Sequence, residues 1–305
     1  MPEKKAKPIR VKLPATSANL GPAFDAAALA FGLFLEVRAR PAPEFSLRAS
    51  GRDAETCGRL EQNLILETYS EILRANHKKV AGLALDVRNE IPIGRGCGSS
   101  AAARLAGIAL ANHFGGLQWG SDRIIAEASR REHHPDNASA CWLGGVTVAR
   151  MHDEEVCATR IRVRGRWPLL LAVPQAELST EVARQALPAS YARADAVANI
   201  QNAMLLLGAL TGGRPDLLAR ALEDRLHQPY RAPLCPLLPA LQAVRGMHGV
   251  LGAVLSGAGP SVLLFVDPRS NVQRCRGMVL SHLRKWGLQA ELLSSAICPQ
   301  GAQLS

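Results

Sequence analysis

Two domains that mix strands with helices are what this sequence predicts, and three observations predict it. The chain has 305 residues, 48% of them hydrophobic, which is enough to bury a full core and more than one domain usually holds. Segments of period two occur along it beside segments of helical period. Glycine- and proline-rich turn signals punctuate these segments, and no apolar run free of such signals is long enough to span a bilayer.

In chain order, the basic start MPEKKAKPIR has no apolar stretch behind it, so it reads as a frayed tail rather than a secretory signal. IRVKL is strand-like. PATSANLGPAFDAAALAFGL (14–33) opens with a turn-rich patch at Asn19, Gly21, Pro22 and Asp25. A turn with local side-chain bonds explains Asn19 readily. It explains Asp25 less well, because that acid enters an apolar segment. ARPAPEF (39–45) is short enough for an inter-strand loop.

Leu83, Leu85 and Val87 alternate with Asp86 and Arg88, the period of a half-buried strand. Ala102, Leu105, Ala106, Ala109 and Leu110 then recur at helical spacing, and His113 closes the run before Gly115 and Gly116. Between them lies IPIGRGCGSS (91–100), with Ser99 or Ser100 as the helix N-cap. Free N–H groups and the helix dipole would favour an anion above Gly94, Gly96 and Gly98, phosphate most of all. The spacing matches neither GxxxxGK[ST] nor GxGxxG, so a mere tight connection is the competing reading.

EHHPDNASACWLGG (132–145) places two acids, two histidines and an asparagine within six positions. These residue types could hold zinc, but the spacing matches neither HExxH nor a cysteine-containing finger, and a polar surface turn around Pro135 is the competing, lesser reading. LLLAVP is a strand, and STEVARQALP (179–188) starts a helix at Ser179 or Thr180 with Glu181 in its first turn. Arg184 on that helix has solvation as its ordinary fate. GVLGAVLSGAGPSVLLFVD (249–267) holds two strand-like runs around Gly257-Ala258-Gly259-Pro260, a plain hairpin that would also suit a second wall of a phosphate site.

The net charge is +10 and the pI about 9.7. The arginines are spread along the chain and only 4% of residues are aromatic, which leaves few platforms for stacking bases. A protein that handles small anions is the better reading, and no nucleic acid or membrane partner is expected. Seven cysteines without a CxxC pair point to reduced thiols in the cytoplasm.

Taken in order, SANLGPAFD, PIGRGCGSSAA, EHHPDN and LSGAGPS resemble the motifs of the GHMP small-molecule kinases. Within that superfamily, TSANLGPAFD, HPDNA, TEVAR, DRLHQPYR and SGAGPS are most similar to the homoserine kinase family. The resemblance runs from Val11 to about Leu293. It departs from the family at Arg95, where a small residue is usual, at Cys97, where leucine is usual, and at Ser139-Ala140, where a proline often stands. Arg95 would either contact the nucleotide or point to solvent.

The resemblance implies an α+β fold. Its N-terminal ATP-binding domain (1–165) would contain a left-handed βαβ unit, an exception to the crossover rule, and its C-terminal domain (166–305) would be ferredoxin-like. It implies ATP-dependent phosphorylation of the L-homoserine hydroxyl, a step toward threonine, with ATP and Mg²⁺ as cofactors and a homodimer as a possible assembly. Pro92, Ile93, Gly94, Arg95, Gly96, Cys97, Gly98, Ser99, Ser100 and Ala101 would hold the nucleotide. Gly257 and Gly259 would complete the phosphate site, and Asn63 would lie on the adenine side, although helix capping explains Asn63 equally well. Ser100 and Glu132 would take the metal, with Glu127 the alternative to Glu132. Asn19, Asp25, His134, Asp136, Arg184 and Arg231 would hold homoserine. Asp25, Glu132 and Ser100 are the candidate catalytic residues, and whether Asp25 removes the hydroxyl proton is left open. Another GHMP kinase of a small alcohol, a non-catalytic ligand-sensing paralogue and a basic nucleic-acid-binding module are the rival readings.

Overall fold

The computed structural model describes residues 7–305, so the first part of the basic start expected to fray lies outside them. IRVKL opens a longer strand than its pattern suggests, β1 (Ile9–Ala18), which pairs antiparallel with β2 (Ala27–Pro41) in a register that sets Leu13 against Leu35. β3 (Ser46–Gly51) follows, then α1 (Ala54–Cys57), α2 (Leu64–Ala75) and β4 (Leu83–Asn89). β3 and β4 pair in parallel, so the two helices form the crossover between them. Leu83, Leu85 and Val87 are buried while Asp86 and Arg88 face water, as the alternation requires. Ile65, Leu66, Tyr69, Ile72 and Leu73 give α2 one buried stripe.

The glycine loop leads into α3 (Ser99–Gly115), followed by α4 (Ser121–Glu132) and α5 (Asp136–Leu143). α3 is central: Ala102, Leu105, Ala106, Ile108, Ala109 and Leu110 are all buried. Small residues let it lie close to α2, and a Cβ at Gly107 would stand 2.5 Å from the Ile65 carbonyl oxygen. β5 (Val146–His152) pairs with the start of β2, and β6 (Glu155–Ile161) pairs with β5.

The second sheet is antiparallel. β7 (Pro168–Val173) is followed by α6 (Thr180–Gln185), α7 (Arg193–Gly212), α8 (Pro215–Ala221), α9 (Gln228–Arg231) and α10 (Leu237–Gln242). Then come β8 (Val250–Leu255), β9 (Val262–Val266), α11 (Val272–Lys285) and β10 (Glu291–Ala296). Strand order β10–β7–β9–β8 with a β-α-β-β-α-β succession is the ferredoxin-like arrangement. Leu169, Leu171, Leu263 and Phe265 face the core shared with the first sheet, while Leu170, Ala172 and Leu264 pack toward α10 and α11. Burial on both faces explains why these strands read as continuous apolar runs. Finally β11 (Gln303–Leu304) returns to pair with β1, setting Leu304 opposite Val11. Nothing in the sequence pattern signals that return. No described helix is long and apolar enough to cross a membrane.

Candidate active site

A cleft of about 380 Å³ is bordered by the turn after β1, the glycine loop, the start of α5, the approach to α6 and the β8–β9 turn. Local backbone rules place the loop. Gly94, Gly96 and Gly98 have φ of 67°, 73° and 71°, the left-handed region that glycine enters at little cost. Gly98 is itself the N-cap of α3, and Ser99 and Ser100 fall inside the first turn, so neither serine caps it as expected. The glycines also serve the protein's own packing. A Cβ at Gly96 would meet the Ser256 carbonyl oxygen at 2.2 Å, and one at Gly98 would meet Thr16 Oγ1 at 1.9 Å. The N–H groups of residues 94–98 donate to no acceptor within the described chain. Four of them, on Gly94, Gly96, Cys97 and Gly98, belong to residues that border the cleft beside a helix N-terminus, a setting that suits an anion.

Ile93, Gly94, Gly96, Cys97, Gly98, Ser99 and Ser100 border the cleft, and so do Gly257 and Gly259. Pro92, Arg95 and Ala101 do not. Pro92 and Ala101 are buried behind the loop. Arg95 neither reaches the cleft nor points to solvent: its guanidinium donates to the Ile93 and Gln175 carbonyls at 3.1 and 3.2 Å. Burial pushes the Cys97 thiol up to about 12, so it is inert as a nucleophile. Asn63 borders the cleft, but its carboxamide is fully engaged. Its oxygen accepts from Ile65 and Leu66 N–H at the start of α2, and its amide donates to the Cys57 and Arg59 carbonyls. Capping is therefore the role its geometry shows. Leu35, Leu64, Ile65, Val87 and Ile91 add an apolar wall.

At the head of α3, Ser100 Oγ donates to Glu132 Oε2 at 2.8 Å, and Arg104 Nε donates to Glu132 Oε1 at 2.6 Å. The carboxylate sits at the C-terminal end of α4, with its side chain 8% exposed. Glu127, the alternative acid, is held by Arg130 and Arg131 and does not border the cleft. Among the described residues no group of three or more His, Cys, Asp or Glu could hold a metal ion unaided. Mg²⁺ keeps its waters and shares phosphate oxygens, so one carboxylate and one hydroxyl are a fitting donor set.

The expected substrate residues border the same cleft. Asn19 has φ of 71° and Asp25 52°, so both depend on the tight turn that follows β1. Asn19 Oδ1 accepts from the Asp25 N–H at 2.9 Å, and Asn19 Nδ2 donates to the Gly257 carbonyl at 2.9 Å. Arg184 grips Asp25 with two parallel bonds, Nη1 to Oδ2 at 3.0 Å and Nη2 to Oδ1 at 2.9 Å. Ser179 accepts from the Val182 N–H and starts the short helix that carries Arg184. His134 Nδ1 lies 2.7 Å from Asp136 Oδ1, and both side chains are buried. Burial alone would lower the His134 pKa. The hydrogen bond and charge of Asp136, with Asp25 and Glu132 beyond, outweigh it and leave the pKa above its ordinary 6.5.

Arg231 is buried at 1% exposure and has no ion-pair partner among the described residues. Its Nε donates to the Ala183 carbonyl at 3.1 Å and its Nη1 to His227 Nδ1 at 3.2 Å, with the guanidinium over the Phe24 ring. His227 Nε2 faces the Gly21 carbonyl at 2.8 Å, so the proton is on Nε2 and Nδ1 accepts. Burial and the neighbouring Arg184 charge press the Arg231 pKa down and outweigh the opposite pull of Asp25 and Asp224. Asn137 and Thr180 also border the cleft and are not among the expected site residues, while Ala258 sits in the turn read as its second wall. Asn137 lay in view as the residue after Asp136. Thr180 carried only a capping signal.

Comparison with known proteins shows the family. Residues 63–145 match the GHMP kinases N terminal domain and residues 195–285 the GHMP kinases C terminal domain. A homoserine kinase of Solibacter usitatus is 40% identical over 296 residues, covering 97% of this chain and 96% of its own. One from Streptomyces avermitilis is 41% identical over 273 residues, covering 88% and 89%. The crystal structure of homoserine kinase from Cytophaga hutchinsonii superposes with a TM-score of 0.83 at 24% identity, over 100% of this chain and 99% of that one.

Proposed function

Because the chain belongs to the homoserine kinase family of the GHMP kinases, we propose that it transfers the γ-phosphoryl group of ATP to the hydroxyl of L-homoserine. The observation that carries this reading is the pairing of two sites in one cleft. The free N–H groups of Gly94, Gly96, Cys97 and Gly98 form one, and a carboxylate–arginine pair with a second, unpaired arginine forms the other.

The second group suits a zwitterion. Asp25 and Arg184 satisfy one another in the ligand-free protein, and an amino acid entering between them offers each a replacement: its ammonium to Asp25, its carboxylate to Arg184. Arg231 supplies further positive charge to that carboxylate. Asn19 and the His134–Asp136 pair fix the turn and the wall around the side-chain hydroxyl. Mevalonate carries a carboxylate but no ammonium, and galactose carries neither, so both leave this set unmatched.

Phosphoryl transfer asks mainly for positioning and neutralisation of charge. The loop N–H groups and the α3 N-terminus would hold the phosphates. Ser100 and Glu132 would hold Mg²⁺, which when bound neutralises phosphate oxygens and draws the nucleotide into line. Both oxygens of Asp25 accept from Arg184, so Asp25 acts in binding and orientation ahead of proton removal. The hydroxyl proton passes to the phosphate oxygens or to water as the new P–O bond forms. A cytoplasmic setting is supported by seven cysteines that all stand as free thiols.

The test is ADP release from ATP and Mg²⁺ against a panel of L-homoserine, mevalonate, shikimate and galactose, with the product weighed by mass spectrometry. Turnover with homoserine and a product heavier by one phosphoryl group is expected. Nucleotide binding without turnover on any alcohol would instead make the chain a ligand sensor.

A further inference from the structure

Arg95, in the middle of the glycine loop, has no place in the account above, yet three segments that border the cleft meet on it. Arg95 Nη1 donates to the Ile93 carbonyl within the glycine loop, and Nη2 donates to the Gln175 carbonyl on the segment between β7 and α6. Two acids flank the guanidinium: Asp53 Oδ2 at 3.8 Å and Glu177 Oε1 at 3.5 Å. Asp53 also accepts from the Ile93 N–H at 3.1 Å and begins α1, whose Thr56 and Cys57 border the nucleotide end. The side chain is only 17% exposed, so these contacts are partly shielded from water.

The segment that Arg95 fastens is the one that carries Arg184. Residues 174–192 connect β7 to α7 and contain only the six-residue α6. Their tether to the glycine loop is thin: one backbone bond from the Leu178 N–H to the Gly94 carbonyl at 3.2 Å, and the Arg95 guanidinium. A short helix on a long connection does not fix its own place. Arg184 must nevertheless stand where its planar fork meets a carboxylate, and a misplacement of about 1 Å is costly at such a site.

We propose that Arg95 is a positioning residue for the amino-acid substrate. It clamps residues 175–177 to the glycine loop and thereby sets α6, so that Arg184 is presented to the substrate carboxylate. It acts through Arg184 and touches neither substrate. This rests on the homoserine kinase reading, and it separates Arg95 from nucleotide binding, the role its place in the loop suggests.

The experiment is a full KM and kcat determination for Arg95→Ala, with Arg95→Lys and Glu177→Gln beside it and thermal melting of each. Arg95→Ala should raise the homoserine KM about tenfold while the ATP KM stays within about twofold and the melting temperature within a few degrees. Lysine, a charge without the fork, should recover part of the loss. Glu177→Gln should change little, because that carboxylate is exposed and the two carbonyl contacts remain. Amide exchange should rise over residues 175–185 in Arg95→Ala and fall again when homoserine is added. A raised ATP KM with homoserine KM unchanged would overturn the proposal in favour of a nucleotide contact. Unchanged KM values with a lowered melting temperature would overturn it in favour of a purely structural brace. Both outcomes presuppose wild-type turnover on homoserine, whose absence would instead strike the kinase reading.

Discussion

Replacing Arg231 with leucine removes a buried positive charge that makes no direct ion pair among the described residues and that Asp25 and Asp224 offset only from a distance. A guanidinium kept in that state is expensive unless an anion arrives. The homoserine carboxylate is the candidate anion, since Arg231 borders the cleft beside Arg184. A hydrogen bond to a charged group contributes about 1.5–3 kcal/mol, so losing one weakens binding roughly ten- to a hundredfold. The fold loses two contacts, because the Ala183 carbonyl and His227 Nδ1 no longer have this donor. It is also relieved of a buried charge that lacks a direct ion pair, and leucine refills part of the volume. These effects oppose one another, so the melting temperature should move by only a few degrees. The assay is steady-state ADP release with each substrate varied in turn. Homoserine KM should rise ten- to a hundredfold and ATP KM should hold. A stable Arg231→Leu protein with an unchanged homoserine KM would refute the reasoning.

Glu132→Gln should lower kcat about a hundredfold or more while the fold survives, because the amide keeps a hydrogen-bonding oxygen for Ser100 or Arg104 but loses its charge toward Mg²⁺; Glu127→Gln, away from the cleft, should turn over normally in the same assay. His134 should leave a mark on stability against pH. Its pKa is raised on folding, so its contribution is fully present below about 6.5 and is lost as pH rises through the higher folded value. Melting temperatures measured from pH 5.5 to 8.5 should carry a downward component on the alkaline side that His134→Gln abolishes, and an identical slope in both proteins would refute it.

The sequence exposed the elements better than it exposed the site. β4 and α3 were legible because their apolar periods are local properties of a strand and a helix. The N-cap was misread, because serines at a helix start ordinarily cap it, whereas here the left-handed Gly98 does so. Ser100 and Glu132 lie 32 positions apart, and only the packing of α4 beside α3 makes them neighbours. Asn63 carries its capping signal in the residue type alone; capping takes its carboxamide oxygen, and the carbonyls of Cys57 and Arg59 take its amide. Arg95 was ambiguous for a similar reason: its partner Gln175 is 80 positions away, and no local pattern encodes that contact. Pro92 and Ala101 belong to the loop's sequence but lie behind its surface. Motif order therefore located the cleft, and the tertiary packing decided which side chains enter it.

The return of β11 to the first sheet bears on how the enzyme can move. The chain passes between the two sheets twice, once from β6 to β7 and again from β10 to β11. Phe31 bridges Ile297 on that second passage, and Arg10 and Ser305 exchange backbone bonds at its end. Two bodies joined by one strand of chain can swing apart like covers on a spine, but two joined at separate points resist that rotation. Substrate entry is then left to local rearrangement of residues 174–192 and of the turns around the cleft, with the two sheets holding still as the frame against which those segments work.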